Sequence, residues 1–443
     1  MVILFAIFNS NFRESASIDG LGNSLLPVSL IVEQDFDLDE FKPLLENQHQ
    51  DLWAAAHIFG AFQQSNSSHA TVNSYPPGAA LLSVPVYLIL SPFLDYDNFL
   101  HIKFAAKISA SLLTALAAGF VFLNLRMLGG SYTSSLMLTT AFGLGSAAWS
   151  LASQGLWQHA PGMLSLSLAI FALLKLHDSH HKGWAFLAGL ALAMAVVSRN
   201  LNAIPAICLS LWMLLEKRDA LIPFALPAVV GALLLFNLNF AYFGNITGGH
   251  EAIYHSAWHG WRGLNSSNVF QVPLLEGLAN IYFSPSEGLL IYSPWLIAAV
   301  CLSIQKIRSA KFLCIALIIW CVLISILLAK NALWWGGTGF GSRYTLEMTV
   351  AATLLVGLAL QNRSLLSHSI CAGLIVYSMA VHCIGAFYAP CDWDLKPVSS
   401  DRHVERYWEW HDPEILRCAS SGITNGPIKF EFLAFFGQTA VAK

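Results

Sequence analysis

The chain has 443 residues, of which 56% are apolar and only 11% are charged, and its mean hydropathy is +0.58. This charge content is less than half of what soluble domains carry, which excludes an ordinary soluble protein. The net charge of −3, without any long basic run, gives no indication of a nucleic-acid partner. We therefore predict an all-α polytopic protein of the lipid bilayer.

The N-terminus is apolar but short. Residues 1–8 supply fewer than half of the ~20 apolar residues that a membrane-crossing helix needs. They also lack the charged start and the small-residue cleavage site of a signal peptide. We expect either an incomplete first span or a true start that lies upstream.

A long polar segment, residues 9–101, follows and forms the first predicted extracytoplasmic loop. Residues 35–75 combine an acidic run with Ser, Asn and His, which is typical of short amphipathic helices at a membrane surface. Pro76 and Pro77 then open an apolar segment that ends near Phe93. We expect this segment to be a surface-lying or re-entrant hairpin rather than a crossing helix.

Clear apolar spans occupy most of the remaining chain. They are predicted at residues 103–125, 131–152, 157–176, 183–198, 200–215, 221–243, 286–305, 311–329, 345–361 and 367–388. With the N-terminal segment, they give about eleven transmembrane helices. We assign residues 1–388 to one transmembrane domain and residues 389–443 to an extracytoplasmic C-terminal tail.

The loops between these spans alternate in charge. One set is short and basic throughout, as the positive-inside rule requires of the cytoplasmic face. Its basic residues are Arg126, Lys175, Lys182, Lys217, Arg218, Lys306, Arg308, Lys311 and Arg363. The long glycine-rich and aromatic loops then share the outer face with the tail. A crossing segment at 76–93 would invert this pattern.

Two of the eight cysteines, Cys391 and Cys418, lie in the polar tail and would pair if the tail is in an oxidising compartment. The other six lie in apolar segments, where a free thiol behaves as a small hydrophobe. The sequence has no glycine-rich nucleotide fingerprint, which argues against chemistry on a soluble nucleotide.

Asp19 is the first candidate catalytic residue. It lies just outside the short first span, where a carboxylate partly shielded from water is suited to general-base catalysis. The alternative is a loop aspartate that helps to cap a helix. The denser acidic cluster at residues 33–40 is interpreted as a solvated face.

Three further candidates lie within or at the outer ends of spans. Charge at membrane depth usually faces a cavity or a partner, so Lys107 and Arg199 are expected to bind an anion such as a lipid phosphate. His159 would bind a sugar or phosphate, or assist proton transfer. Alternatively, His159 is an interfacial histidine, with Trp157 as a membrane-surface anchor.

Two outer loops carry aromatic residues and glycines. Residues 332–344 form a glycine-rich turn that ends in Arg343, which offers a bidentate fork to phosphate. Trp335 in this turn, like Trp258 and Trp261, would stack on a sugar ring or sit in the interfacial belt. The histidine pairs in residues 250–259 make a divalent metal site a minority alternative, and we predict no metal or other cofactor.

The ordered set of motifs resembles the glycosyltransferase-C superfamily, membrane enzymes that take a sugar from a polyprenyl-phosphate donor on the extracytoplasmic side. Relatives include protein O-mannosyltransferases and lipid A aminoarabinose transferases. Each motif is short, and their order along the chain up to Tyr388 carries the resemblance. The motifs are the aspartate loop, Tyr75-Pro76-Pro77, a basic residue in the next span, and residues 156–159, 198–199, 284–294 and 335–344.

The resemblance implies sugar transfer with inversion, in which Asp19 takes the place of the catalytic carboxylate and His159 assists. The implied donor-phosphate ligands are Lys107, Arg199 and Arg343, and the implied substrate contacts are Trp157, Trp335 and Tyr292. The implied partners are a polyprenyl-phosphate sugar and an envelope acceptor that is a glycolipid, a polysaccharide or a protein. We expect a multi-pass protein of a bacterial inner membrane whose active site faces outward.

Two other classes of function remain as alternatives. A lipid or sugar transporter or flippase would favour inverted repeats and ionisable residues at mid-bilayer, whereas here the polar residues concentrate at one surface. A non-catalytic relative that acts as a scaffold or partner subunit would need no reactive carboxylate at position 19.

Overall fold

The fold is described from a computed structural model of the chain. The structure describes residues 1–14, 18–48, 52–249, 253, 269–299, 312–337, 339–361, 363–389 and 391–422. The histidine-rich loop with Trp258 and Trp261 therefore lies outside the described residues, as does the end of the tail. Within the described residues the protein is mostly helical, as predicted, with one short two-stranded hairpin.

Seventeen α-helices are numbered here in chain order over the described residues. They are α1 (Val2–Asn9), α2 (Ile18–Val32), α3 (Phe41–Gln48), α4 (Leu52–Ile58), α5 (Gly78–Leu90), α6 (Phe99–Met127), α7 (Tyr132–Leu144), α8 (His159–Ser179), α9 (Lys182–Ser198), α10 (Ala203–Glu216), α11 (Leu221–Phe243), α12 (Leu274–Phe283), α13 (Leu289–Tyr292), α14 (Phe312–Lys330), α15 (Leu346–Leu360), α16 (Leu365–Tyr388) and α17 (Glu414–Ser421).

The described chain contains six helices that are long and apolar enough to cross a membrane. They are Phe99–Met127, His159–Ser179, Arg218–Phe243, Leu313–Lys330, Arg343–Leu360 and Leu365–Tyr388. Shorter apolar helices lie at Ile18–Val32, Gly78–Phe93, Lys182–Ser198 and Asn200–Glu216. These helices support a multi-pass membrane protein, but they do not confirm the count of about eleven spans.

Helices α8 and α15 form the centre of the bundle. The apolar windows of His159–Ser179 and Arg343–Leu360 are 83% and 89% buried, whereas that of Arg218–Phe243 is only 11% buried. An apolar helix with so little protein around it is suited to contact with lipid. Helix α8 packs against α6 and α9, and α15 packs against both α8 and α14, so residues at the ends of α8 and α15 come close together.

Residues 9–101 are more compact than the sequence predicts. Short helices are present in this segment as α3 and α4, and their position at a membrane surface stays a prediction. Helix α1 ends at Asn9, well short of a membrane crossing. Helix α2, which lies between α1 and α3 in the chain, buries most of its residues. A short antiparallel hairpin after α4 pairs Phe62–Gln64 with Thr71–Asn73. Asp19 therefore lies in the first turn of a packed helix rather than in an open loop.

The segment at residues 76–93 is a single helix and not a hairpin. Helix α5 continues through Pro85 and ends in a 3-10 turn at Ser91–Phe93. It packs against α2, α6 and α9, and the hydroxyl of Tyr87 donates to the carbonyl oxygen of Ser24 at 2.8 Å. The hairpin prediction was wrong because helix neighbours on several sides stabilise the segment despite its internal proline.

Two predicted spans are broken. The span at 131–152 stops at Leu144, and a π-helical turn, Ala148–Ala152, follows. The freed carbonyl oxygen of Gly145 accepts hydrogen bonds from the indole N–H of Trp295 at 2.8 Å and from the hydroxyl of Ser293 at 2.9 Å. These side-chain donors replace a helical hydrogen bond, and sequence periodicity does not reveal such a tertiary contact.

The second break lies in the span predicted at 286–305. Helix α13 is only one turn long and is followed by the 3-10 turn Pro294–Leu296. Pro294 has no N–H to continue the helix, and it disfavours a helical conformation at Ser293. Residues 300–311 lie outside the described residues, so the described part contains no complete crossing here.

The described part of the tail packs against the helical bundle and is held by its own internal contacts. Cys391 and Cys418 form a disulfide with a Cα–Cα distance of 5.1 Å, the pairing that the sequence left open. Arg406 is buried and donates to the carbonyl oxygens of Trp393, Lys396 and Val398. Because one guanidinium satisfies three carbonyls, it holds the irregular tail in one conformation.

Removal of this disulfide should loosen the tail. Cys391 and Cys418 are 27 residues apart in the sequence, so replacing both by serine opens the loop that the disulfide closes. The chain-entropy relation gives a loss of about 3–4 kcal/mol in the free energy that keeps the tail folded. Limited proteolysis of the membrane-embedded protein should then cut within the tail. Replacing Cys383, which is a free thiol, should leave the cleavage pattern unchanged. A tail equally resistant in both proteins would contradict this expectation.

Candidate functional site

Asp19 joins two donors from distant parts of the chain. The hydroxyl of Tyr75 donates to its Oδ1 at 2.8 Å, and Nη1 of Arg343 donates to its Oδ2 at 2.8 Å. The side chain of Asp19 is 33% exposed, whereas that of Arg343 is 9% exposed. The carboxylate therefore lies at the border between a buried cation and solvent.

Tyr75 precedes the two prolines that begin the segment at 76–93. Burial, and after it the neighbouring Asp19, raises the pKa of the Tyr75 hydroxyl well above its usual range. The hydroxyl therefore stays protonated and remains a donor to Asp19 at any physiological pH. Asp19 thus accepts a hydrogen bond from a phenol on one oxygen and from a guanidinium on the other.

Arg343 lies in the 3-10 turn Arg343–Thr345, which leads into α15. Its Nη2 donates to the carbonyl oxygen of Gly336, and its guanidinium carbon lies 4.7 Å from the ring centroid of Trp157. Gly336 has a φ of +80°, a conformation that glycine adopts without strain. The glycine-rich turn thus brings a carbonyl oxygen to the arginine that follows it.

A second charged group lies at the junction of α8, α9 and α15. Nη1 of Arg199 donates to Oε2 of Glu347 at 2.7 Å, and Nδ1 of His159 lies 3.1 Å from both oxygens of the same carboxylate. All three side chains are buried. A buried charge is tolerated when it is paired, and here one carboxylate pairs with two nitrogen groups.

Tyr344 connects the two charged groups. The guanidinium carbons of Arg199 and Arg343 each lie 5.4 Å from the centroid of its ring, within cation–π distance. We call the assembled residues the Tyr344 cluster. Its members are Asp19, Tyr75, Trp157, His159, Arg199, Arg343, Tyr344 and Glu347.

Two fully buried donor atoms in this cluster lack an acceptor within the described residues. Nε of Arg343 and the indole Nε1 of Trp157 are buried and have no hydrogen-bond partner within the described residues. Buried donors in native proteins are nearly always satisfied, so an unpaired one calls for an explanation. An anionic or hydroxyl-rich ligand would supply acceptors here.

Asp19, Trp157, His159, Arg199 and Arg343 are thus the sequence-derived candidates that the structure brings together. Lys107 lies elsewhere. Its ammonium is fully buried and donates to the carbonyl oxygens of Phe8 at 2.8 Å and Ser153 at 2.9 Å and to Oε1 of Gln154 at 2.8 Å. An ammonium has three N–H donors, and all three are used within the protein.

Tyr292 and Trp335 are buried under the tail. The hydroxyl of Tyr292 donates to Oε2 of Glu414 at 2.8 Å, and the indole N–H of Trp335 donates to Oδ1 of Asp401 at 2.9 Å. The ring of Trp335 also packs against Tyr407, with 5.7 Å between centroids. Both side chains hold the tail in this structure and offer no open face to a sugar.

Docking of the tail should depend on pH through Asp394. Burial, and then Asp401, raises the pKa of this carboxyl from its ordinary 3.8 to about 6. A carboxyl with a raised pKa favours the folded state when protonated, so its contribution is complete below pH 3.8 and is lost as the pH rises through about 6.

The comparison that checks this is between the wild type and Asp394→Asn. Hydrogen exchange of the tail should be slower in the variant than in the wild type at about pH 7.5 and equal in the two proteins at about pH 4. Comparing both proteins at the same pH cancels the intrinsic pH dependence of exchange. A difference of equal size at both pH values would show that Asp394 does not titrate in this way.

Glu347 is the functional candidate that sequence analysis missed. It lies inside the span predicted at 345–361, and its neighbours along the chain are apolar or uncharged. The signal was present, because an ionisable residue inside an apolar span usually has a functional partner. Its partners Arg199 and His159 are 148 and 188 residues away in sequence, so the pairing itself was not predictable.

No metal site is evident in the described ranges. They contain no group of three or more His, Cys, Asp or Glu side chains arranged to hold an ion. The histidines at residues 250–259, which made a metal a minority alternative, lie outside the described residues.

Comparison with known proteins gives information on the fold. No protein-family model matches the sequence, and no curated protein matches it. Among solved structures, the oligosaccharyltransferase of Archaeoglobus fulgidus in its apo form is similar, with a TM-score of 0.54 and 12% sequence identity. The similarity covers 96% of this chain and 61% of that chain.

The same archaeal enzyme, AglB, is also similar in complex with an inhibitory peptide and a dolichol-phosphate, with a TM-score of 0.51 and 12% identity over 96% of this chain and 61% of that one. A third structure, tethered to an acceptor peptide, has a TM-score of 0.51 at 12% identity and covers 96% and 60%. The chain spans about three fifths of the length of these enzymes. The chain thus resembles this archaeal oligosaccharyltransferase in fold, and at this identity the likeness concerns the fold alone.

Proposed function

We propose that the protein is a membrane glycosyltransferase that moves a sugar, of hexose type, from a polyprenyl-phosphate donor to an extracytoplasmic acceptor with inversion. The observation that carries the proposal is the Tyr344 cluster. Two guanidinium groups flank Tyr344 in it; one pairs with the partly exposed carboxylate of Asp19, and the other shares the carboxylate of Glu347 with the imidazole of His159. The fold likeness to an oligosaccharyltransferase, one structure of which contains a dolichol-phosphate, supports the same class of donor.

The charge of the cluster favours a donor with a single phosphate. Arg199 and Arg343 are balanced by Asp19 and Glu347, so the cluster is neutral when the imidazole of His159 is neutral and carries one positive charge when it is protonated. A sugar linked to a lipid through one phosphate carries one negative charge, which a protonated His159 balances. A diphosphate would leave negative charge uncompensated at a buried site.

Binding of the donor would rearrange the pair between Asp19 and Arg343. The donor phosphate competes with Asp19 for the guanidinium, because both are anions that prefer its paired N–H groups. Once Arg343 contacts the phosphate, its hydrogen bond to Asp19 is lost and the hydrogen bond from Tyr75 to Asp19 remains. Release of Arg343 leaves Oδ2 of Asp19 available to accept the proton of the acceptor hydroxyl.

The transfer step then has two bond changes and one proton transfer. The acceptor oxygen bonds to the anomeric carbon from the side opposite the phosphate, and the bond between that carbon and the phosphate oxygen breaks, which inverts the configuration. The acceptor proton moves to Asp19, and the polyprenyl phosphate leaves with both electrons of the broken bond. Arg343 and Arg199 stabilise the charge that develops on the phosphate.

Trp157 and His159 complete the proposed site. The unpaired indole N–H of Trp157 would donate to the sugar or the phosphate, and His159 would assist at the phosphate. We leave Lys107, Tyr292 and Trp335 out of the proposed site because their polar atoms are used within the protein. The proposed acceptor is a glycolipid, a polysaccharide or a protein of the cell envelope, and the site faces the outside of a bacterial inner membrane.

Proteoliposomes that contain a fluorescent polyprenyl-phosphate sugar in one leaflet distinguish this function from its alternatives. We expect sugar-containing product to accumulate with water-soluble or lipid acceptors, while the donor stays in its leaflet. Movement of intact donor between leaflets without product would identify a flippase. A folded protein that neither binds nor converts the donor would favour the third alternative, a non-catalytic scaffold or partner subunit.

A further inference from the structure

Glu347 has no part in the proposed bond changes, yet both oxygens of its carboxylate are used. Oε2 accepts from Nη1 of Arg199 at 2.7 Å, and Nδ1 of His159 lies 3.1 Å from each oxygen. Glu347 lies in the first turn of α15, and its side chain is 5% exposed. One buried carboxylate thus fixes side chains that come from the start of α8 and from the end of α9.

The hydrogen bond to Glu347 determines how the imidazole is oriented. A carboxylate only accepts, so the ring nitrogen that faces it must carry a proton. Nδ1 of His159 therefore carries a proton whether the ring is neutral or cationic, and Nε2 points away from Glu347. In the cationic ring Nε2 also carries a proton and can donate to a phosphate. Within the described residues Nε2 has no hydrogen-bond partner.

Arg199 is oriented in the same way. It uses Nη1 for Glu347, and its guanidinium lies beside the ring of Tyr344. Its Nε and Nη2 have no hydrogen-bond partner in the part of the chain that the structure describes. The two groups that Glu347 holds thus keep donors or acceptors available on the side away from it.

The surroundings of Glu347 leave it little freedom. Gly162 lies on α8 opposite its side chain, and a Cβ atom at that position would be 3.0 Å from Oε1 of Glu347 and 2.8 Å from Nδ2 of Asn202. Asn202 in turn donates to the carbonyl oxygen of Ala195 at 2.9 Å. A close approach of this kind needs a glycine, and it fixes the carboxylate against α8.

We propose that Glu347 is a positioning residue, which aims Nε2 of His159 and the remaining donors of Arg199 together at the phosphate of the lipid donor. The inference rests on the proposed function and adds a residue to it. At metal sites, groups that set the tautomer and orientation of a ligating histidine contribute about 10–100-fold to affinity. We expect an effect of the same order for the groups that contact the donor phosphate.

The test measures the affinity of the purified protein in nanodiscs for a polyprenyl monophosphate without a sugar. Glu347→Gln should raise the Kd about tenfold or more, since the amide no longer pairs with both nitrogen groups. His159→Ala should raise the Kd by a similar factor in the wild-type background but by less than about threefold in the Glu347→Gln background. Glu287→Gln is the control, because Glu287 is also buried but forms no hydrogen bond to His159 or Arg199. This variant should leave the Kd within about twofold of the wild type.

A purely structural Glu347 would give a different result. Glu347→Gln would then lower the melting temperature but leave the Kd unchanged, and the effect of His159→Ala would be the same in both backgrounds. If Glu347→Gln does not fold, Gly162→Ala decides, because its methyl group displaces the carboxylate without removing the charge. An unchanged Kd in folded Gly162→Ala would then overturn the inference. A wild-type protein that binds no polyprenyl monophosphate would instead overturn the proposed function.

Discussion

Replacing Asp19 by asparagine should lower the rate of sugar transfer by about 10²–10⁴-fold, the range that a positioned general base contributes. Asparagine keeps the size of the side chain and an acceptor for the Tyr75 hydroxyl, but it cannot take up the acceptor's proton. The rate should be measured under single-turnover conditions with the donor saturating, so that changes in donor affinity do not contribute.

The matched control is Glu33→Gln, which removes an exposed carboxylate just beyond the C-terminal end of the same helix. Its rate should equal that of the wild type. A folded Asp19→Asn protein with a rate within about threefold of the wild type would eliminate Asp19 as the base. The cluster would then need another group to accept the proton.

Replacing Arg343 by glutamine should lower kcat by about 10²–10³-fold, the loss found when one donor to a developing negative charge is removed. Arg343 is the cation that touches Asp19 and that would meet the leaving phosphate. Arg343→Lys should be intermediate, because lysine keeps the charge but lacks the planar fork. The measurement is the dependence of the initial rate on donor concentration, which separates kcat from KM.

Arg363→Gln provides the control for this pair of variants. Arg363 follows the far end of α15, so its replacement removes a positive charge without altering the Tyr344 cluster. It should change neither kcat nor KM. If Arg343→Gln raised only KM and left kcat intact, Arg343 would bind the donor equally in the ground and transition states, and leaving-group stabilisation by this residue would be refuted.

The sequence predicted most helices because hydrophobic segments in a membrane protein must be helical to satisfy their backbone. The predicted spans at 183–198 and 221–243 agree with α9 and α11 to within one residue. The breaks at Gly145 and Pro294 were missed. In a membrane a helix can end only where other groups satisfy its carbonyls, and Trp295 and Ser293 do this from about 150 residues away.

The candidate site was predictable in part. Polar residues at one surface identified Asp19, His159, Arg199 and Arg343, which the structure brings together, although their roles remain predictions. Lys107 had the same sequence signal. It differs because three acceptors from the surrounding chain satisfy its ammonium, and only the folded structure reveals them.

The tail was the least predictable part. Its composition is polar, and nothing in the sequence indicated that it covers Trp335 and Tyr292. Glycine-rich and tryptophan-rich turns are equally compatible with binding a sugar and with packing against another segment. The contacts with Asp401 and Glu414 decide in favour of packing in this structure.

The most direct test of the account is release of labelled sugar from a panel of polyprenyl-monophosphate sugars by the purified protein in nanodiscs. The wild type should convert at least one donor, the product should have the opposite anomeric configuration, and Asp19→Asn should convert that donor about 10²–10⁴-fold more slowly. A folded wild-type protein that binds these donors but never releases sugar, or an Asp19→Asn variant as active as the wild type, would contradict the assignment of the Tyr344 cluster as a glycosyl-transfer site.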